Sequence, residues 1–251
     1  MRRLLVVAAL ACLGIMLLYT IGRMPPMNSG STPDKTHVVP RYLEHGEEEG
    51  GAPNIITSVI LNYRGYDTMG EVTVIFSALC AVVALLDREK RGRSRSAADI
   101  SKVKSSVIVR TVVRIAVPVI ILFAVYTILH GETSPGGGFQ GGAIVGASII
   151  LFTLAFGLPE STDRMPLGAR IPMESSAMLA FLAMGFLGLA FGVEFLTYAL
   201  PGIHGQATET IRMLMLMVVE IGIGVAGGII FISIVFAMIR EDRYELQPDI
   251  P

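Results

Sequence analysis

Six long apolar stretches, separated by short polar segments, constrain this chain more than any motif does. They run roughly over residues 4–22, 69–86, 107–129, 141–158, 177–200 and 213–239. A helix needs about 20 apolar residues to cross a hydrocarbon core ~30 Å thick, and each stretch approaches or exceeds that length. The expectation is an all-α, polytopic integral membrane protein with about six transmembrane helices. Composition agrees: 52% of residues are apolar and only 16% are charged, against about 25% charged in a soluble domain. The net charge of −1 speaks against nucleic-acid binding. Cys12 and Cys80 lie inside apolar stretches, with no disulfide framework and no metal-ligand spacing. Trp is absent, so an interfacial aromatic belt must rest on Tyr and Phe.

Arg2 and Arg3 precede the first stretch, as in a signal peptide. Its apolar run exceeds the usual ~7–15 residues and no small-x-small cleavage site follows, so a retained helix is expected. Basic residues set the orientation. Arg88, Lys90, Arg91, Arg93, Arg95, Lys102 and Lys104 fall in one loop, Arg164 and Arg170 in another, and Arg240 and Arg243 in the tail. With six spans these segments and both termini share one side, read as cytoplasmic in a cell inner membrane. The loop over residues 23–53, with Glu47, Glu48 and Glu49, then faces outside. Residues 24–53 are rich in Pro, Gly and Ser and are expected to be poorly ordered. The basic loop also looks like a join, dividing a two-helix part, residues 1–92, from a four-helix part, residues 93–251. No internal repeat relates them.

The run from Pro135 to Gly142 holds five glycines: Gly136, Gly137, Gly138, Gly141 and Gly142. Gly inside a helix costs about 1 kcal/mol against Ala, so such a run marks a bend or a close approach. A dinucleotide fingerprint needs a preceding strand, and the flanks here are apolar helices. A phosphate-binding P-loop needs a following Gly-Lys-Ser/Thr, which is absent. Two readings remain. One is a tight turn with close packing, in which Gly138, Gly142 and Gly146 make a small-xxx-small face. In the other, the turn also frees backbone groups to line a polar cavity or ion path.

Charged residues near the spans are few. Arg64, Asp67 and Glu71 crowd the entrance of the second stretch, and Thr68-x-x-Glu71 fits a capping box. The alternative is a charge network that binds or relays cations, since charges at membrane depth must be paired. Glu194 and Glu220 fall inside the fifth and sixth stretches. Glu220 lies seven residues from the start of its stretch, about 11 Å at 1.5 Å per residue. With Glu71 these acids occupy one half of the bilayer, where they form either a proton or sodium half-site or structural pairs. Arg110 and Arg114, one helical turn apart, either snorkel to the interface or meet an acid of a neighbouring subunit. Pro118 is expected to kink the same helix. His130 either titrates near neutral pH or is simply a polar loop residue. No nucleophile–base set, metal cluster or haem-ligand pair emerges, so no cofactor and no metal is expected.

The segment from Leu129 to Gly142, Leu-His-Gly-Glu-Thr-Ser-Pro-Gly-Gly-Gly-Phe-Gln-Gly-Gly, resembles the signature of the B subunit of multisubunit Mrp-type Na⁺/H⁺ antiporters. The likeness extends over residues 107–239. Glu132 stands where many B subunits carry a second His, so a His pair is not implied. Residues 54–86, with Tyr63-Arg-Gly-Tyr-Asp-Thr-Met-Gly-Glu71, are similar to the C-terminus of the large A subunit of those antiporters. They are equally similar to the small E subunit of membrane-bound hydrogenases. The resemblance implies a membrane subunit, catalysing nothing alone, of an Mrp-like module in a membrane-bound hydrogenase or related ferredoxin-linked complex. It implies other membrane subunits, Na⁺, H⁺ and the lipid bilayer as partners. Glu220, Glu194, Glu71 and Asp67 become candidate ion-pathway carboxylates, tuned by Arg64 and neighboured by His130. The alternative is a purely structural subunit of a stand-alone antiporter.

Overall fold

The fold is described from a computed structural model over residues 2–24, 32, 35, 37–89, 105–198 and 206–244. Contacts group residues 1–45 apart from residues 46–251, and each group is described on its own. In the first, α1 (Arg2–Gly22) is an apolar helix. Leu10, Ile15 and Leu18 on it are each more than 60% exposed. A helix apolar all round is stable only in hydrocarbon or in a core.

The helix α2 (Val38–Gly50) overturns the expectation of poor order over residues 24–53, at least for its own length. Pro40 lies in its first turn, where a missing N–H is harmless. Its C-terminal end is tied down. Asn62 donates to the Glu49 carbonyl at 2.7 Å, the Tyr63 hydroxyl to the Glu49 carboxylate at 2.6 Å, and Arg212 to the Glu48 carbonyl at 2.7 Å. Residues 25–31, 33, 34 and 36 of that loop lie outside the described residues.

Five helices of the second group are long and apolar enough to span a membrane, and α1 adds a shorter apolar one. The five are α3 (Gly65–Glu89), α4 (Val107–Leu129), α5 (Gly138–Phe156), α7 (Leu167–Ala190) and α8 (Gln206–Tyr244); the short α6 (Leu158–Arg164) joins α5 to α7. The chain is thus an all-α polytopic membrane protein. Most of the basic loop, residues 90–104, lies outside the described residues.

Three helix boundaries differ from the sequence reading, each for a local reason. The second span starts at Gly65, so Thr68 is inside the helix and no capping box forms. Residues Ile55–Thr57 begin a helical turn that widens into a π-helix over Ser58–Tyr63. The Thr68 hydroxyl donates back to the Ile60 carbonyl at 2.6 Å. The fourth span starts at Gly138 and ends before Gly157, whose φ of 93° breaks the helix. The fifth span starts ten residues earlier and ends ten residues earlier than 177–200, running Leu167–Ala190. Gly192, with φ of 80°, stops it, and the chain folds back so that Leu196 and Tyr198 are buried. Leu196 fills the space beside Gly65 and Gly185.

The helix α8 is central: it packs on α5, α7, α3 and α4. Its spanning segment is 56% buried, against 6% for α3. Lipid offers apolar contacts as good as those of Leu, so helices associate in it through close van der Waals packing. The α5–α8 contact is close because glycine faces glycine. A Cβ on Gly142 would sit 2.5 Å from the Gly224 carbonyl oxygen, and one on Gly228 would sit 3.0 Å from that of Gly142. Gly138 meets the backbone of Glu220 in the same way, and Gly146 meets Phe231 and Gly228.

Candidate functional site

The glycine contact carries a carboxylate to a helix end. The first N–H groups of α5 have no partner within their own helix and carry partial positive charge. Glu220, on α8, fills that need: its Oε2 accepts the N–H of Gly138. Gly137 takes φ of 151° just before the helix. A Cβ there would lie 3.1 Å from Oε2, and one on Gly131 would lie 3.2 Å from the carboxylate carbon. Glycine is therefore needed on both sides of the acid.

Glu220 is 2% exposed, and its Oε1 has no hydrogen-bond partner among the described residues. The same holds for the hydroxyl of Tyr198, 1% exposed, and for Oε2 of Glu132. The Glu220 charge acts on the Tyr198 hydroxyl, and the Glu132 charge acts on Glu220. Burial, and then the Glu220 charge, hold the Tyr198 hydroxyl above its ordinary pKa, so it keeps its proton at neutral pH. Burial raises the pKa of Glu132 although His130 opposes it. Buried polar atoms ordinarily have partners. Three such atoms, coupled electrostatically, make a site that can take up a proton, a cation or water.

The loop that shapes the site is clamped from the N-terminal side of the chain. Asn54 donates through Nδ2 to the carbonyls of Gly131 at 2.9 Å and Ser134 at 2.8 Å. Its own N–H donates to the Glu132 carbonyl at 3.0 Å. The Thr57 hydroxyl adds a bond to the Gly131 carbonyl at 2.5 Å. Gly136 presses on Thr127 and Gly141 on Ile128, which seats the turn on α4; Pro135 is exposed.

The other candidates lie elsewhere. Arg64 and Asp67 pair at 2.5 Å with side chains 61% and 55% exposed. With Glu71 they line one open pocket of about 490 Å³. Glu194 is not in a span: it lies in the turn after α7 and is exposed. Hydropathy placed it in a helix because the residues around it are apolar, but Gly192 ends that helix first. His130 caps the end of α4 and stacks on Tyr126 at 4.2 Å, exposed. Glu220 is thus the buried acid of the expected trio.

Sequence reading missed two buried residues of opposite charge. Arg170, assigned to a loop, and Glu174 lie one turn apart inside α7, 3% and 6% exposed. The Arg170 guanidinium donates to the Ser233 hydroxyl at 3.2 Å and lies 4.8 Å from the Phe236 ring centre, both on α8. The i, i+4 spacing of opposite charges was a usable signal. So was Gly224-x-x-x-Gly228, a small-xxx-small pattern on the sixth stretch. Asn54, Thr57 and Tyr198 carried no local signal.

Comparison with known proteins bears on the family and the fold. Residues 108–231 match the family described as a domain related to the MnhB subunit of Na⁺/H⁺ antiporters. Residues 2–103 match the MbhE family, described as the E subunit of MBH. A protein named putative antiporter subunit mnhB2, from Staphylococcus aureus (strain Newman), is 32% identical over 127 residues, covering 49% of this chain and 89% of that protein. The chain belongs to the MnhB family. A K⁺/H⁺ antiporter A/B subunit of Rhizobium meliloti (strain 1021) is 28% identical over 62% of this chain, which spans only 17% of that protein. Among solved structures, a chain of the membrane-bound sulfane sulfur reductase, an archaeal respiratory membrane complex, superposes with TM-score 0.67 at 33% identity. The match covers 94% of this MnhB-family chain and 97% of that one. A chain of the Mrp complex from Dietzia sp. DQ12-45-1b shares the fold, with TM-score 0.64 at 24% identity, over 99% of this chain and 27% of that one.

Proposed function

We propose that this MnhB-family chain is a membrane subunit of an Mrp-like Na⁺/H⁺ translocating module, housed in a membrane-bound hydrogenase or related respiratory complex. The observation that carries the reading is Glu220: a buried carboxylate on the central helix, one oxygen held by the Gly138 N–H and the other without a partner among the described residues. In this reading Glu220 takes up and releases the ion. The Gly138 N–H steadies the charged form, and Tyr198 and Glu132 stand beside it as the next polar stations. The matches to the MbhE family and to a respiratory-complex chain over nearly its whole length support a place in such a complex. Residues 1–92 form the hydrogenase-E-like part and residues 93–251 the MnhB-like part. Both termini face the cytoplasm across the cell inner membrane, as the basic segments argue. The thinly covered α3, with Arg64, Asp67 and Glu71, faces neighbouring subunits and extends the ion path to them.

The test is Na⁺ transport by the assembled complex in membrane vesicles. Glu220→Gln keeps size and polarity but cannot ionise, so transport falls at least tenfold while the complex still assembles; Glu71→Gln lowers it less. Normal transport with both substitutions together rules the reading out. It leaves the second reading, a packing subunit, which the glycine-to-glycine contact of α5 and α8 favours.

A further inference from the structure

The end of the bundle away from the glycine loop carries an arrangement that the ion path does not use. Arg110 and Arg114, in the first two turns of α4, hold their guanidinium carbons 5.0 and 5.5 Å from the ring centre of Phe156. Phe156 stacks on Phe152 at 4.5 Å. Phe152 in turn lies 4.6 Å from the guanidinium of Arg164, at the end of α6. Three cations are therefore gathered on a pair of stacked rings, where each gains from the aromatic face. Among the described residues one of them has an anion: Glu160 pairs with Arg164 at 3.2 Å. Arg110 and Arg114 have no carboxylate partner among the described residues. Arg114 lies seven residues inside the span, about 10 Å along the helix, where an unneutralised charge is costly.

An apolar groove of about 440 Å³ is lined by Arg164 and begins on α4 at Val117, three residues beyond Arg114. Val117, Ile121 and Val125 of α4 form one wall and Ile149 and Phe152 of α5 the other, with Arg164 at one end. From Val117 to Val125 it follows α4 for about 12 Å. The outer lip is open to the surroundings: Leu122 is 72% exposed. A soluble anion answers the arginines and leaves the groove empty. An apolar helix answers the groove and leaves the arginines bare. One molecule with an anionic head and a hydrocarbon tail answers both. Basic pockets between membrane helices take anionic headgroups for this reason.

We propose that this groove is a specific binding site for one anionic membrane lipid, its phosphate held by Arg110 and Arg114 and one acyl chain laid between α4 and α5. The full chain is purified in detergent and titrated with phosphatidylglycerol and, separately, with phosphatidylcholine of the same chains, and bound lipid is counted by native mass spectrometry. About one phosphatidylglycerol per chain is retained, and phosphatidylcholine binds at least tenfold more weakly. Removing both charges in Arg110→Gln/Arg114→Gln raises the dissociation constant for phosphatidylglycerol roughly thirty-fold, at about a kcal/mol per charge. Leu122→Trp at the groove lip weakens it as well. Val119→Trp, on a residue 63% exposed and outside the groove, leaves it unchanged and shows that the fold tolerates a bulky residue on this helix. Equal retention of the two lipids overturns the proposal, as does full retention by the double arginine variant or release of the lipid by millimolar inorganic phosphate. A wild-type chain that retains no lipid, while the arginine variant fails to join its complex, assigns the cations to an acidic protein neighbour and overturns it too.

Discussion

Glu220 and Asp67 both sit beside glycine at a helix entrance, and their surroundings differ in kind. Around Glu220 the chain has closed on itself: glycine backbones touch, Asn54 clamps the loop, and the acid is sealed at 2% exposure. Around Asp67 it has not: the acid pairs with Arg64 in an open pocket, at the start of a helix whose span is 6% buried. A surface so apolar and so little covered is suited to lipid or to other subunits, not to water. One region is a finished interior; the other is half of an interface. Close packing matters in the first because in hydrocarbon helices gain nothing from burying apolar surface against each other rather than lipid.

Five substitutions sharpen this contrast. The largest effect is expected from Gly142→Leu, because the obstacle to a Cβ is the Gly224 backbone rather than a movable side chain. Overpacking against backbone exceeds the usual ~1–3 kcal/mol, so the variant should not yield a monodisperse folded chain in detergent. Gly70→Leu, where nothing lies within 4 Å, should behave as wild type. If both fail alike, the contrast between sealed and open regions is lost. Next, Asn54→Ala removes the side-chain amide that donates to the Gly131 and Ser134 carbonyls; Gly131 keeps the Thr57 hydroxyl, while Ser134 loses this bond. A loss of about 1–3 kcal/mol is expected, read as a lower thermal midpoint, with faster proteolysis of the 130–137 loop.

The third effect depends on pH. The Glu132 carboxyl titrates above its ordinary range in the folded chain because it is partly buried. The folded state therefore holds that proton more tightly than the unfolded chain does. Stability falls as pH rises from about 4 through the folded-state pKa, and the penalty then persists. Glu132→Gln removes it. The variant should match wild type in thermal midpoint near pH 4 and exceed it increasingly as pH rises; a constant difference across that range contradicts the assignment. The smallest effect is expected of Asp67→Asn, since an exposed ion pair contributes about 0.2–1 kcal/mol. A large loss in the isolated chain would show that the pocket at α3 is structural rather than an unfinished interface.

Much of this molecule is legible from one sequence because hydropathy is a local sum. Long apolar runs announce their spans, and an unusual string such as Pro135 to Gly142 announces its family. The errors share one cause. Arg170 and Glu174 were set outside a span because charge lowers a local average, yet both are buried inside α7, where the Arg170 charge acts on Glu174 one turn away and Ser233 and Phe236 on α8 complete the setting of Arg170. Glu194 was set inside a span because its neighbours are apolar, although a left-handed glycine had already turned the chain.

The sequence by itself determined the class of fold, the spans within several residues except the fifth, which lies ten residues earlier, the family and the packing glycines on one helix. Only the tertiary structure decided which acid is sealed and what holds it. Gly138 and Glu220 are 82 residues apart, and their hydrogen bond exists because two glycine faces on different helices let the backbones meet. That complementarity belongs to neither helix alone, so no reading along the chain could assign Glu220 its partner.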